Sequence, residues 1–275
     1  MTNLIGLHID STPETLKNEI EKYKNRCGVI QLFVSKAKKN KVYYDEFKKL
    51  IEKHKMKVSI HISYTINLCK DSTKYMWWIH QMVDEIKLAK YIGAFVVVVH
   101  LGKQLDLTLD VALNNMYINL VKVVSLTKNV NIKILLETST GQGSETLFRL
   151  DDLAKFYKNL KINPIFKDKI GICLDTCHIF NAGYDISDKK KIKIYLDEFE
   201  RLIGINEIKL IHLNDSKNKV DSRLDRHANI DHGYIGKEGL IEITKFFTKL
   251  GVSIVLETPD EYIDDDLNVL SKVGF

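Results

Sequence analysis

Short apolar runs alternating with longer segments of helical period constrain this chain more than any other feature. The alternation recurs about eight times along the 275 residues, with no linker-like or low-complexity stretch between the repeats. The runs occupy residues 4–8, 29–33, 58–61, 95–100, 132–137, 170–175, 208–212 and 253–257. Near-continuous apolar runs of this length are strands covered on both faces, as in parallel sheets. The intervening segments read as helices. Thr12-Pro13-Glu14 supplies an N-cap, a first-turn proline and an early acid, and residues 107–126 and 195–203 carry apolar side chains at helical spacing. About eight β/α units in this length are the arithmetic of a closed (β/α)8 barrel, although an open doubly wound sheet reads similarly.

Composition narrows the setting. With 45% hydrophobic and 28% charged residues, the chain suits one large domain over residues 1–275. No run approaches the roughly 18–20 apolar residues needed to span a bilayer, and a start containing Asn3, His8 and Asp10 lacks a signal-peptide profile. We therefore expect a soluble intracellular protein. Cys27, Cys69, Cys173 and Cys177 have no CxxC spacing and read as reduced, buried small hydrophobes. A formal charge of +5 permits nucleic-acid binding without demanding it.

The strand ends carry the chemistry. In order they are His8, an aromatic, His61, His100, Glu137, Asp175, His212 and Glu257. In a barrel the strand C-termini surround one mouth, where active sites of such barrels lie. Buried carboxylates converging there without a cation would repel and would be costly to desolvate. Imidazole and carboxylate donors of this kind suit zinc, with iron or manganese as alternatives. His178, three residues beyond Asp175, adds a further donor. Asp225 and His227 stand two apart in the loop after the seventh strand, so that in extended backbone both face one way. His8 aside, nine donors exceed the needs of one zinc, so two or three ions are implied, an arrangement suited to phosphate-ester hydrolysis.

Basic and aromatic residues accompany these donors. Lys36, Lys38, Lys39 and Lys41 follow the second strand, and Arg223 and Arg226 flank the Asp225/His227 pair, where backbone phosphates would dock. Tyr64 follows His61 closely and is placed to stack on a nucleic acid. The run Thr140-Gly141-Gln142-Gly143-Ser144 offers backbone amides that would cradle a phosphate. Lys189, Lys190, Lys191 and Lys193 begin a helix and read as a solvated face. We assign no chemistry to His54, His80 or His232.

Several of these pieces together resemble the endonuclease IV family, the zinc-dependent apurinic/apyrimidinic endonucleases. The most specific are Leu174-Asp-Thr-Cys-His178 with Ala182-Gly-Tyr-Asp185, His212-Leu-Asn-Asp215-Ser-Lys217, and Asp225-Arg-His227 with Gly233 and Ile235-Gly236. Glu137 with Gly141-Gln-Gly143, Leu256-Glu257-Thr-Pro259, His61 with Ser63-Tyr64, and His100 also fit. The resemblance covers essentially the whole chain. It implies a TIM barrel holding three zinc ions, with metal ligands His61, His100, Glu137, Asp175, His178, His212, Asp225, His227 and Glu257. By that analogy His61 and His100 hold one ion, which Glu137 bridges to a second held by Asp175, His212 and Glu257. His178, Asp225 and His227 take the third.

The implied reaction cleaves the phosphodiester 5′ to an abasic site in double-stranded DNA, leaving a 3′-hydroxyl and a 5′-deoxyribose phosphate, and extends to trimming blocked 3′ ends. Glu137, Asp175 and Glu257 become the catalytic carboxylates, and Lys38, Tyr64, Gln142, Arg223 and Arg226 the DNA contacts, in a monomer with no membrane partner. The chain departs from the family pattern at Ile62, at Thr65 where an apolar wedge is usual, at Lys38 in place of an inserted arginine, and in the loop Ile9-Asp10-Ser11-Thr12. These departures bear on DNA penetration, not on the metal shell. The competing readings are a sugar isomerase or epimerase on the same barrel, disfavoured by the Asp225/His227 pair, and a barrel that only binds damaged DNA, which would need a broken ligand set.

Overall fold

Eight of the apolar runs pair side by side and close on themselves. In the computed structural model, which describes residues 3–9, 12–34, 41–73 and 76–273, the strands are β1 (Ile5–His8), β2 (Val29–Phe33), β3 (Lys57–His61), β4 (Val96–His100), β5 (Lys133–Glu137), β6 (Ile170–Asp175), β7 (Ile208–His212) and, after a short hairpin, β10 (Ser253–Leu256). Their order is β1-β10-β7-β6-β5-β4-β3-β2, and the parallel pairing Ile5↔Ile254 through Leu7↔Leu256 closes the barrel and excludes the open sheet. Strand bounds match the expected runs to within one residue, with Glu257 one position past β10.

Helices α1 (Pro13–Tyr23), α2 (Lys41–His54), α3 (Met76–Ile92), α4 (Leu109–Leu126), α5 (Leu150–Ile162), α7 (Lys189–Leu202) and α8 (Gly236–Lys249) cover the outside, with α9 (Ile263–Ser271) last. A short α6 (Thr176–Asn181) follows β6 directly. Thr12 precedes α1 as expected, but its hydroxyl meets that of Thr15 at 2.6 Å rather than capping a backbone amide. The helix that carries the 195–203 run begins at Lys189, where the lysines were expected to start it, and is capped by the Asp188 side chain on the Lys191 amide. A two-stranded hairpin that periodicity did not announce, β8 (Asp215–Ser216) with β9 (His227–Ala228), stands between β7 and α8.

Strand parity decides what enters the mouth. Val29, Val96, Val98, Leu135, Cys173, Leu210 and Val255 form their own buried cluster inside the barrel, separate from the larger core between strands and helices. Successive side chains on a strand alternate faces. Two residues beyond Val98, Leu135, Cys173, Leu210 and Val255 therefore come His100, Glu137, Asp175, His212 and Glu257, all aimed inward above an apolar floor. Register sets them side by side, with Phe33↔His61, His100↔Glu137 and Asp175↔His212 as neighbours. The last pair depends on an irregularity, because the β6–β7 register shifts between Ile172 and Cys173. Without that bulge Ile211, not His212, would stand beside Asp175; bulges re-aim side chains in this way near active sites.

Candidate metal centre

Glu137 stands at the centre of the mouth and is 1% exposed. Its Oε2 lies 3.1 Å from His61 Nε2 and 3.4 Å from His100 Nδ1, while Oε1 lies 2.8 Å from His212 Nδ1. Glu257 Oε2 approaches the same His212 nitrogen at 3.2 Å. Asp175 is fully buried and works in two directions. Its Oδ1 accepts the His178 amide at 2.8 Å, capping α6, and its Oδ2 accepts from Asn214 Nδ2 at 2.7 Å. The capping role explains the spacing of three: the acid holds the start of the helical turn that carries the histidine.

Four imidazoles have their second nitrogen occupied. His61 Nδ1 donates to Ile62 O at 2.9 Å, His178 Nδ1 to Thr138 O at 2.7 Å, His227 Nδ1 to Glu257 O at 3.1 Å, and His212 Nε2 to Gln31 Oε1 at 3.0 Å. Ligating histidines are held in this way, since the hydrogen bond behind the ring fixes which nitrogen offers its lone pair. His178 Nε2 and His227 Nε2 are buried without a hydrogen-bond partner. Each points to one carboxylate oxygen, Asp225 Oδ1, at 3.3 Å and 3.2 Å. Two donors about 2.0–2.1 Å from one tetrahedral zinc stand roughly 3.3 Å apart, so this spacing fits a shared cation.

The donor atoms fall into overlapping groups within 4.8 Å: His61/Glu137/His212, Glu137/Asp175/His212/Glu257, His178/Asp225/His227, and Asp175/Cys177/His227. Glu137, Asp175, His212 and His227 each belong to two of them. Among the described residues His100 joins none; its side chain is 37% exposed, with Nδ1 3.4 Å from Glu137 Oε2 and its ring 4.9 Å from that of His61. Cys177 is the surplus donor. Burial pushes its thiol up to about 12, and it donates to Arg226 O, so it remains a thiol. All four cysteines are free and buried, as expected.

Electrostatics match a site short of positive charge. Burial would raise the Asp225 carboxyl, but His178 and His227 hold it well below the usual carboxylate range. Burial would lower His227, and Asp225, Asp175 and Glu257 instead raise it to about 9. Asp175 is pushed up by its burial, which its histidine neighbours do not offset. That carboxylate is the one most in need of a cation.

The mouth opens into a cleft of about 690 Å³ lined by the donors other than Asp175 and His212, together with Tyr64, Lys103, Gln142 and Glu145. Tyr64 is 74% exposed, with its ring edge-on to Phe33 at 5.9 Å. Gln142 Oε1 accepts the Asp225 amide at 2.9 Å, so it holds the loop that carries Asp225 and His227. The expected phosphate cradle is altered at its centre, because the Gln142 amide is already taken by Thr140 Oγ1 at 3.0 Å and Glu145 Oε2 at 3.1 Å. Arg223 is also engaged: it packs 4.0 Å over Phe148 and bonds Asp221 at 2.8 Å. Arg226 is exposed and bonds the Asp225 carbonyl. Lys36, Lys38 and Lys39 lie outside the described residues, and Lys41 begins α2.

Residues that motif reading passed over complete the shell. Asn214 Oδ1 accepts the Glu257 amide at 2.8 Å, and Thr138 Oγ1 accepts the Asp175 amide at 3.0 Å. Asp266, 1% exposed, accepts from Asn229, Ile230 and Thr258, tying α9 to both the segment that follows His227 and the residue after Glu257. Gln31 and Ser59 form a polar patch in the floor. Strand parity could have found those two, since each stands two residues before an inward-facing strand end.

A parallel barrel with carboxylates and imidazoles crowded at its C-terminal mouth defines a metal-dependent enzyme. Comparison with known proteins makes that class specific. Residues 22–273 match the family described as xylose isomerase-like TIM barrel. A protein of Acanthamoeba polyphaga mimivirus named as an endonuclease 4 is 36% identical over 98% of this chain and 89% of its own length. Endonuclease IV from Thermus thermophilus superposes with a TM-score of 0.81, at 24% identity and 98% coverage of both chains. A D-tagatose 3-epimerase-like protein has the same fold at a TM-score of 0.73 and 18% identity, covering 97% of this chain and 98% of its own. The chain belongs to the endonuclease IV family and is a metal-dependent, phosphodiester-cleaving hydrolase. Among the described residues no helix is long and apolar enough to cross a membrane.

Proposed function

We propose that this protein is an abasic-site endonuclease of DNA repair that hydrolyses the phosphodiester 5′ to an apurinic or apyrimidinic site with three zinc ions. The products are a 3′-hydroxyl and a 5′-deoxyribose phosphate, and the same site would remove blocked 3′ ends. The observation that carries this reading is the overlap of the donor groups through Glu137, with the His178/Asp225/His227 group alongside and linked to Asp175 through His227. A sugar epimerase needs only one ion, so a second carboxylate–imidazole group with orphaned nitrogens favours phosphate chemistry.

Residues 1–275 would act as one catalytic domain, as a monomer. His61, His100 and Glu137 would hold one ion, Glu137, Asp175, His212 and Glu257 a second, and His178, Asp225 and His227 the third. Bound zinc would supply Lewis acidity, lowering the pKa of water and neutralising charge on the phosphate and the departing oxygen. The chain's own residues do the rest. Glu137 Oε1 and Oε2 face different imidazoles, so this carboxylate fixes the spacing between two donor groups. Gln142 anchors the Asp225 backbone, so the third group keeps its place as DNA docks. Tyr64, exposed at the rim, stacks against the opened duplex; Arg223 and Arg226 bind backbone phosphates, Arg223 by exchanging Asp221 for a phosphate; and Lys38, which follows β2 in sequence, joins them. Extruding the damaged sugar costs least at an abasic position, where no base must be unpaired, which is the physical basis of lesion preference.

The test is incubation with a duplex carrying one abasic analogue, with and without a chelator, beside an undamaged duplex. We expect a nick 5′ to the lesion that chelation abolishes and zinc restores. No nick, or a nick that survives complete metal removal, would overturn the reading.

A further inference from the structure

Gln31 has no exposed surface, although it sits in a barrel floor otherwise made largely of Val, Leu and Cys side chains. Its amide touches four groups. Nε2 donates to Glu257 Oε1 at 2.6 Å and lies 3.1 Å from His8 Nδ1, while Oε1 lies 3.0 Å from His212 Nε2 and accepts from Ser59 Oγ at 3.2 Å. The orientation of this amide follows from one constraint. An ionised carboxylate only accepts, so the NH2 end must face Glu257. The carbonyl then faces His212, whose Nε2 must carry the proton.

We infer that Gln31 is a positioning residue that fixes the tautomer of His212 and the rotamer of Glu257, selecting from below the metal-binding atom of each. The inference rests on the metal-centre reading above. With Nε2 protonated, His212 offers its Nδ1 lone pair to the mouth, 2.8 Å from Glu137 Oε1 and 3.2 Å from Glu257 Oε2. With Oε1 held by Gln31, Glu257 offers Oε2 to the same place. His61, His178 and His227 are set by backbone carbonyls, which no substitution removes. His212 alone among these four is set by a side chain, and that side chain comes from β2, with β1 and β10 between it and β7. One residue therefore orients two members of the Glu137/Asp175/His212/Glu257 group.

Two variants of similar size remove these contacts, one both of them and the other only the donor to Glu257. Gln31→Met removes the acceptor behind His212 and the donor behind Glu257. Gln31→Glu keeps an acceptor for His212 but turns a carboxylate against Glu257. Outer partners of metal ligands typically contribute about 10–100-fold in metal affinity. We expect both variants to bind one zinc of three about 10–100-fold more weakly in competition with a chromogenic chelator, and to lose kcat with KM changed less than about threefold. The tautomer is read directly in the zinc-loaded wild-type chain by long-range proton–nitrogen NMR of the imidazoles, with His212 assigned by substitution. That measurement stands whether or not the variants fold. His212 protonated at Nε2 supports the inference; protonation at Nδ1, or a folded Gln31→Met that holds every ion at wild-type affinity, overturns it. A wild-type chain that binds no zinc overturns the metal-centre reading itself, and is distinguished because it needs no variant.

Discussion

Glu137→Gln is the most revealing single change, because it removes one charge at the junction of two donor groups without changing side-chain shape. Oε2 lies 3.1 Å from His61 Nε2 and Oε1 lies 2.8 Å from His212 Nδ1, so the carboxylate serves both sides at once. An amide keeps one acceptor oxygen but must turn its NH2 toward the other imidazole, donor against lone pair. Removing one partner from a buried charge pair costs about 3–5 kcal/mol. At about 1.4 kcal/mol per tenfold, metal affinity should fall about a hundredfold to several thousandfold. Since Glu137 is shared, the loss should strike two ions together and spare the group at His178, Asp225 and His227. The assay is metal content after equilibration in a zinc buffer of fixed free concentration, read beside the incision rate on an abasic duplex. A variant that loses a single ion, or that incises at the wild-type rate, would refute the argument for a bridging role.

Three further outcomes follow from the same geometry. Asp225→Asn should release the ion of the His178/His227 group alone, leaving the other two, as metal analysis would register. Gly6→Ala should fail to accumulate as folded protein, because a Cβ there would lie 1.8 Å from the backbone oxygen of Val29, and soluble yield with circular dichroism measures this. In the chelated protein, His227 is raised to about 9 despite its burial, through Asp225, Asp175 and Glu257. A raised imidazole stabilises the fold fully below the ordinary value of about 6.5 and loses that contribution as pH climbs through its folded value. Calorimetry of the metal-free chain should therefore show a melting temperature that falls between pH 6.5 and pH 9; a flat profile would count against this ion pairing.

Much of the barrel was legible in the sequence because strand runs are short, apolar and bounded, and because parity alone directs their last residues inward. The donor types at those ends were equally visible, since a His or Glu closing an apolar run has no cheap alternative to a partner. Less legible was anything set by tertiary register. The bulge that brings His212 rather than Ile211 beside Asp175 leaves no mark in composition, and strands of two residues, such as Asp215–Ser216, are too short for periodicity to reveal. Arg223 looked like a free phosphate contact, yet Phe148 and Asp221, distant and near in sequence, both hold it. The glycine-containing run after Glu137 likewise looked open, whereas Thr140 and Glu145 occupy its central amide. Gln31 escaped notice because one amide within Val29-Ile30-Gln31-Leu32-Phe33 resembles ordinary variation until its four partners are seen.

The decisive quantity is the number of ions that these converging side chains bind. Anomalous scattering at the zinc edge from crystals of the zinc-loaded chain measures this directly. We predict three peaks in the mouth, one beside His61, His100 and Glu137, one among Glu137, Asp175, His212 and Glu257, and one among His178, Asp225 and His227. A single peak, with the His178/Asp225/His227 group empty, would contradict it.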